Sequence, residues 1–509
     1  MKKEAKAFFQ NACIMALVAL VARSVMVYFQ AYLSRAVGAE GMGLVGLIGT
    51  VFGFATTFAI SGVPLAVTRL VSASISRGDS VGALRALRNA TLYALFFSSL
   101  ASVFLLLCAG WIGRDWLGDE RTIAAIKVLS LSLIPLSLAS VISGYFTAVG
   151  RVTGSSLTQL VELLVRIGAT VVIVKYLPMG DITKKVGAVM LGITISQLFS
   201  ALALGVEYWL DKKRHLPPLV SLPQEAGGMR ALCHIAMPLA LSTYVRSGLL
   251  TLEHILIPIC LAKGGASHSD SLAAYGTLQG MALPVVLYPM GILSAASPLL
   301  VPLFSTHEAK GENGQIHTLA SRALHIICLL GLGCFTCLFI FSEELGLVLF
   351  DSREAAGYIR PLSFVLPLMF LDHVTDGILK GIGEQVYTMW VNILDAILSI
   401  LLVLLLLPHF GAMGYVYVIL LAEIFNLALS LSRLVHKVRP RFSPMRSLVL
   451  PVLAGGLSAL LVSKLLPIPP EDSSLIWLLV RLLFTAVVYA GVLLVAKLSR
   501  GHDKSRQAT

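Results

Sequence analysis

Apolar runs long enough to cross a lipid bilayer follow one another along almost the whole chain, and they constrain its fold more than any other feature. There are about fourteen of them, and most reach the roughly 20 residues that a helix needs to span the hydrocarbon core. They occupy residues 10–34, 43–70, 88–111, 123–149, 155–177, 186–209, 231–262, 272–304, 319–341, 359–380, 386–408, 412–433, 447–467 and 474–497. The sequence therefore predicts an all-α polytopic membrane protein with about 14 transmembrane helices.

The composition excludes a chain made of soluble domains. Of the 509 residues, 57% are hydrophobic and 13% are charged, whereas soluble domains carry about 25% charged residues. Fourteen spans leave about 200 residues for loops and ends, too few for an extramembrane domain. The chain also lacks a phosphate-binding GxxxxGK[ST] loop, an HExxH pair and a nucleophile elbow. We therefore expect no enzyme activity, no cofactor and no metal site.

The basic residues indicate how the chain is oriented. With the N-terminus inside, cytoplasmic segments hold 24 Lys and Arg residues and outer segments hold 10, as the positive-inside rule requires. Both termini are then cytoplasmic in a cell membrane. The net charge of +12 needs no nucleic-acid partner. The first run carries Arg23 and is too long for a signal peptide, so we expect a retained helix.

The sequence contains an internal repeat. A shift of 233 residues takes Gly43 to Gly276 and Gly150 to Gly383. It also takes Gly78 to Gly311, Gly144 to Gly377 and the basic residue Arg77 to Lys310. Two six-helix lobes related by an axis along the membrane normal would give this pattern, with a substrate cleft between them. The predicted domains are an N-terminal lobe 1–210, a cytoplasmic linker 211–229, a C-terminal lobe 230–440, two additional helices in 441–498 and a cytoplasmic tail 499–509.

Arg23 and Arg246 lie inside apolar runs, where a charged side chain costs about 2.5–3.5 kcal/mol on insertion scales. Arg23 is in the first run and Arg246 is in the seventh, the run that opens the second repeat. Because guanidinium groups bind phosphate through two parallel hydrogen bonds, a pair of them suits a diphosphate headgroup. We predict that both contact substrate. The alternative is that each arginine pairs with an acid or a carbonyl of a neighbouring helix.

Several acids also lie in apolar runs. Glu162 and Arg166 stand four residues apart, so they face the same side of a helix and can form an ion pair that lines the cavity or contacts substrate. Glu253, Asp372 and Asp376 are candidates for coupling transport to an ion, because membrane-embedded carboxylates can carry H⁺ or Na⁺. They are equally suited to serve as counter-ions or inter-helix hydrogen bonders.

Long stretches of the chain resemble the stage V sporulation protein B family, which belongs to the superfamily of multidrug, oligosaccharidyl-lipid and polysaccharide exporters. These stretches are NACIMALVALVARSVMVYFQAYLSRAVGAEGMGLVGLIGT, SGVPLAVTRLVSASISRGD, GYFTAVGRVTGSSLTQLVELLVRIG and GAMGYVYVILLAEIFNLALSL. The likeness extends to about residue 440. It implies two six-helix lobes around a V-shaped cavity and the flipping of a lipid-linked saccharide for cell-wall or spore-cortex peptidoglycan, with membrane lipids and cell-wall synthesis enzymes as partners.

The resemblance also bears on the candidate arginines. The related lipid II flippases hold the lipid diphosphate with cavity arginines, and one of these precedes the R-x-x-G turn of the first helix. Arg23 stands at the matching place ahead of Arg35-Ala36-Val37-Gly38. A second family arginine falls at Phe29, and the one in the second helix has no match. Arg246 is inferred from the repeat alone.

Three functions are consistent with the sequence. The leading prediction is a flippase or exporter that moves a lipid-linked saccharide, a peptidoglycan or polysaccharide precursor, by alternating access. The alternative is a cation-coupled multidrug exporter of the same superfamily, although the first lobe contains only Glu162 as a mid-helix acid. A membrane-embedded polysaccharide polymerase is the third, and the short outer loops argue against it.

Overall fold

A computed structural model describes residues 2–176, 181–215, 228–466 and 475–506. Every regular element in these ranges is helical, including π-helical turns at Ile112–Trp116, Thr277–Ala282 and Met445–Val449. This confirms the predicted all-α fold. The helices are α1 (Lys2–Ile60), α2 (Val63–Ser76), α3 (Ser80–Trp111), α4 (Thr122–Ser130), α5 (Leu133–Ala148), α6 (Val152–Lys175), α7 (Ile182–His215), α8 (Met229–Lys263), α9 (His268–Gly276), α10 (Leu283–Val286), α11 (Met290–Ala309), α12 (Asn313–Ile340), α13 (Ser342–Phe350), α14 (Arg353–Leu362), α15 (Val365–Gly381), α16 (Gln385–Val438), α17 (Leu450–Leu465) and α18 (Leu475–Arg506).

Many of these helices can cross a membrane. Within the described ranges, nine stretches are long and apolar enough, or up to eleven if each of two bent helix pairs counts as one span. Two of the nine are longer than a bilayer is thick and are broken at a glycine. The break in α1 is at Gly38, with φ 74°, and the break in α16 is at Gly411, with φ 58°. The multi-pass architecture is thereby confirmed, and the count of 14 spans stays a prediction.

The backbone repeats with the period found in the sequence. The two bent pairs, α4 with α5 (41°) and α14 with α15 (48°), occupy equivalent positions under the shift of 233 residues. Glycines related by this shift also match in conformation. Gly78 and Gly311 have φ of 75° and 69°, and Gly150 and Gly383 have φ of 73° and 85°. Because glycine alone adopts this region without a steric penalty, both halves end their helices by the same turn.

The chain divides into two compact units. The first comprises Met1–Phe29, Ala36–Ala262 and Ser267–Gly276. Its core draws small residues such as Ala66, Ala90 and Ala94 from α2 and α3, and larger ones from α5, α7 and α8. Small side chains let membrane helices approach closely, and the many buried alanines of this core match that mode of packing.

The second unit comprises Gln30–Arg35, Lys263–Ala266 and Thr277–Thr509. Within it the last two helices pack on α12. The Tyr489 hydroxyl donates a hydrogen bond to the carbonyl of Leu329 (2.8 Å). The guanidinium of Arg481, on α18, lies 2.5 Å from the carboxylate of Glu344, on α13. The last helix, α18, is therefore joined to this unit by specific polar contacts.

The predicted domain limits stay a prediction. The first unit extends past the repeat boundary to Ala262 and also includes Ser267–Gly276, and the second unit includes Gln30–Arg35, so the units do not follow that boundary. Residues 216–227 of the predicted linker and 507–509 of the predicted tail lie outside the described residues.

Candidate functional site

Arg23 lies in the first arm of α1, ahead of the break at Gly38. It is partly buried and interacts with at least one other described residue. A buried arginine needs such a partner, because a lone charge in an apolar helix is costly. Contact with substrate stays a prediction for this residue.

Arg246 lies in α8 and is exposed. Its neighbours face α1: the Tyr244 hydroxyl donates to the carbonyl of Phe58 (3.1 Å), and the Ser247 hydroxyl donates to the hydroxyl of Thr57 (3.2 Å). No ion pair joins Arg246 to the part of the chain that the structure describes. An exposed guanidinium within an apolar span must be solvated by water or by a polar ligand.

Glu162 and Arg166 form the ion pair that their spacing predicts. The Arg166 Nη2 atom lies 2.8 Å from a carboxylate oxygen of Glu162, one helical turn away on α6. Arg166 also donates from Nε to the Ser196 hydroxyl (3.3 Å) on α7. The side chains of Arg166 and Glu162 are mostly buried, at 22% and 13% exposure respectively. Each charge is therefore neutralised locally, and substrate contact by this pair stays a prediction.

Gln197 belongs to the same network, although it is not among the residues predicted from the sequence. Its amide donates a hydrogen bond to Glu162 (2.8 Å), so α7 and α6 are joined at this point. A second link lies further along, where the Thr158 hydroxyl donates to Glu207 (2.9 Å). Gln197 and Glu207 are polar residues in an otherwise apolar helix, and this pattern is the sequence signal that could have identified them.

Glu253 is buried at 7% exposure on α8 and is engaged with at least one other described residue. The next residue, His254, shares a hydrogen bond of 3.2 Å with the hydroxyl of Tyr275, on α9. Tyr275 is itself only 1% exposed. A polar cluster is thus sealed inside the first unit, and ion coupling through Glu253 stays a prediction.

Asp372, on α15, lies among other acids of the second unit. One carboxylate oxygen accepts a hydrogen bond from Asn426 (3.3 Å), and the other is buried without a hydrogen-bond partner among the described residues. Asp376, Asp395 and Glu423 lie close enough to interact with it electrostatically. In the described ranges no three His, Cys, Asp or Glu side chains are placed to hold a metal ion.

Asp376 differs from Asp372 in having a counter-ion. Its carboxylate lies 2.9 Å from the ammonium of Lys380, one turn further along α15. The Lys380 side chain is 45% exposed, so the pair reaches the end of the helix. Of the two predicted ion-coupling residues on α15, Asp372 is thus the one without an ion pair to a described residue.

Charge pairs of opposite polarity occupy equivalent helix ends in the two repeats. In the first unit Arg151 forms an ion pair with Asp211, which also accepts a hydrogen bond from the Tyr145 hydroxyl (2.8 Å). The residue equivalent to Arg151 under the 233-residue shift is an acid, Glu384. Glu384 lies 2.8 Å from each of Lys437 and Arg433, and their hydrogen bonds hold its pKa below the usual range.

Comparison with known proteins agrees with this architecture. The family model described as "Polysaccharide biosynthesis protein" matches residues 8–308, and the MatE model matches residues 256–405. Stage V sporulation protein B of Bacillus subtilis (strain 168) is 24% identical over 414 residues, which cover 80% of this chain and 79% of that protein. The similarity thus spans most of both proteins.

Solved transporters have the same fold. The lipid II flippase MurJ in an inward closed conformation aligns with a TM-score of 0.69 at 14% identity, over 94% of this chain and 98% of that one. An inward-facing multidrug resistance MATE family transporter of the MOP superfamily aligns with a TM-score of 0.64 at 15% identity, over 88% and 99%. With a family model matching more than half of its residues, this multi-pass membrane protein belongs to the polysaccharide biosynthesis protein family.

Proposed function

We propose that this protein is a flippase that moves a lipid-linked saccharide, a peptidoglycan or polysaccharide precursor, across the membrane by alternating access. The observation that carries the proposal is the family match over residues 8–308. Two similar proteins, the lipid II flippase MurJ and stage V sporulation protein B, favour a cell-wall or spore-cortex precursor.

Arg23 and Arg246 are the proposed ligands of the lipid diphosphate. Both lie in helices that open a repeat, and both are permanently charged. The exposure of Arg246 within an apolar span supports this role, since a charge there needs a polar ligand or water. The saccharide would pass through a hydrated path while the lipid tail stays in the bilayer.

The proposed location is the plasma membrane, with both termini in the cytoplasm. The support is the excess of basic residues on that side, 24 against 10. Enzymes that assemble lipid-linked saccharides inside the cell would then supply the substrate, and polymerising enzymes outside would consume it.

Reconstituted vesicles test the proposal. Purified protein in liposomes that contain a lipid-diphosphate saccharide should expose this lipid on the far leaflet, and Arg23→Ala should lose at least about 90% of the rate, equivalent to about 1.4 kcal/mol. Arg77→Ala is the matched control, because Arg77 is an exposed arginine at the end of α2 that binds a backbone carbonyl. Absence of movement by the wild-type protein, with or without an ion gradient, would contradict the flippase function.

A cation-coupled drug exporter is the second candidate. Asp372 supports it, because its buried oxygen has no hydrogen-bond partner in the part of the chain that the structure describes and could bind an ion. Gradient-dependent export of a lipophilic cation, together with no movement of the saccharide lipid, would favour this function over the first.

A further inference from the structure

Four exposed arginines of the second unit lie in the first half of α12 and in the segment that follows α16. They are Arg322, Arg439, Arg441 and Arg446. The sequence has no Asp or Glu between Glu423 and Glu471. No ion pair joins these arginines to the part of the chain that the structure describes. This surface therefore carries positive charge that no neighbouring acid neutralises.

Three hydrogen bonds hold the segment after α16 along one side of α12. They join His317 to the carbonyl of Val438 (3.3 Å), the amide of Arg441 to the Ser321 hydroxyl (2.9 Å) and His325 to the Ser447 hydroxyl (2.9 Å). Residues 317, 321 and 325 stand four apart, so they share one helix face. Because Arg322 follows Ser321 directly, it is held near Arg441. Arg446 lies close enough to His325 to interact with it electrostatically. The arginines are thus gathered on one surface.

This segment lies at the surface of the membrane. It joins two stretches that can span a bilayer, Gln385–Val438 and Met445–Leu465, and only residues 439–444 separate them. Phe442 and Met445 are 44% and 56% exposed beside the arginines. Positive and apolar side chains next to each other at this depth suit the headgroup and the acyl chains of a lipid. On the predicted topology the segment faces the cytoplasm.

The backbone at Arg439 points to a use for its side chain. Arg439 ends α16 with φ 52°, in the left-handed region. Helices that end in this way usually have glycine at the turn, because glycine has no Cβ atom to clash. An arginine accepts an unfavourable backbone conformation there. Such strain is retained where the side chain has a function.

We propose that Arg322, Arg439, Arg441 and Arg446, with Phe442 and Met445, form a binding site for an anionic phospholipid of the cytoplasmic leaflet. The guanidinium groups bind the headgroup phosphate through charge-assisted hydrogen bonds, and the two apolar side chains contact the acyl chains. The ligand is a resident membrane lipid and not the transported saccharide lipid. The inference goes beyond the proposed function, because it requires neither transport nor a saccharide.

Native mass spectrometry of the purified full-length protein in detergent measures lipid binding. We expect the wild-type protein to bind phosphatidylglycerol about tenfold more tightly than phosphatidylcholine, because only the former has a net negative charge. The variant Arg439→Gln/Arg441→Gln/Arg446→Gln should bind phosphatidylglycerol at least about tenfold more weakly. The matched control is Arg69→Gln/Arg77→Gln/Arg88→Gln, which removes three exposed arginines from the first unit and should keep the wild-type affinity.

Thermal unfolding separates lipid binding from a structural role of the arginines. Without added lipid, the wild-type protein and both triple variants should unfold at the same temperature. Phosphatidylglycerol should raise the unfolding midpoint of the wild-type and control proteins by mass action, and it should leave the midpoint of the Arg439→Gln/Arg441→Gln/Arg446→Gln protein unchanged. If that variant does not fold, Arg441→Gln and Phe442→Ser replace it, each with an expected affinity about threefold below that of the wild type.

Three results would overturn the inference. Equal affinity of the wild-type protein for the two phospholipids would mean that the headgroup charge is not recognised. An equal loss in the control variant would mean that net charge sets lipid binding, and not this site. Displacement of phosphatidylglycerol by an equimolar lipid-diphosphate saccharide would assign the surface to the transported lipid. None of these results depends on whether the protein moves that lipid, so the proposed function is tested separately.

Discussion

The guanidinium of Arg166 lies 2.8 Å from the carboxylate of Glu162, and the Gln197 amide donates to the same carboxylate oxygen from the neighbouring helix. The two charges are therefore neutralised inside the first unit before any ligand is present. The Glu162–Arg166 pair could stabilise the fold or bind substrate, and these two roles predict different effects of substitution on stability and on transport.

Removing one partner of this pair should cost more than removing both. We expect Glu162→Gln alone to destabilise the protein by about 3 kcal/mol, because it leaves a mostly buried, unpaired guanidinium. The double variant Glu162→Gln/Arg166→Met should recover most of that loss. Thermal unfolding in detergent measures both. If the double variant is stable but transports nothing, the pair contacts substrate as well.

Arg246 should behave in the opposite way. Because it is exposed and makes no ion pair with a described residue, we expect Arg246→Ala to change the free energy of unfolding by less than about 0.5 kcal/mol. The same variant should lower the rate of saccharide-lipid transport by about tenfold, equivalent to about 1.4 kcal/mol. Arg246→Lys, which keeps the charge but not the planar fork, should be intermediate. Wild-type transport by Arg246→Ala would remove this residue from the site.

Substitutions of Asp372 and Asp376, on α15, should differ in their effect on the ion dependence of transport. We expect Asp372→Asn to abolish any effect of an H⁺ or Na⁺ gradient on transport, because Asp372 has a carboxylate oxygen without a hydrogen-bond partner among the described residues. Asp376→Asn should keep the gradient effect, since the Asp376 carboxylate is already paired with Lys380. Transport rates are compared with and without each gradient. The reverse order of effects would assign the coupling to Asp376.

Glu384 should make stability depend on pH. Hydrogen bonds from Lys437, and to a smaller extent from Arg433, lower the pKa of Glu384 in the folded protein. The ionised Glu384 therefore stabilises the folded protein at a pH above the pKa that this residue has in the unfolded chain. This stabilisation is lost as the pH falls through the lower pKa of the folded protein. We expect Glu384→Gln to lower stability by no more than about 1 kcal/mol at pH 7, because both cations are partly exposed.

The measurement is the unfolding midpoint of both proteins between pH 7 and pH 3. The difference between wild type and Glu384→Gln should shrink towards the acid end of that range. Glu343→Gln is the control, because Glu343 is an exposed acid without an ion pair to a described residue. A difference that is the same at every pH would mean that the Glu384 charge contributes nothing.

The sequence by itself determined the helical membrane architecture and the repeat. The apolar runs and the scarcity of charge leave helices as the way to satisfy backbone hydrogen bonds in lipid. The turn glycines at 78 and 311, and at 150 and 383, mark equivalent helix ends because φ near 70° to 85° suits glycine alone. The pairing of Glu162 with Arg166 also followed from local spacing, since residues four apart share a helix face.

Only the tertiary structure decided which distant residues meet. The 233-residue shift related Gly43 to Gly276 but could not show that these two glycines contact each other, because periodicity gives equivalence and not proximity. In the same way Gln197 acquires its role from a partner on another helix. A polar side chain in an apolar helix signals that it needs a partner, and the packing of the helices selects which partner that is.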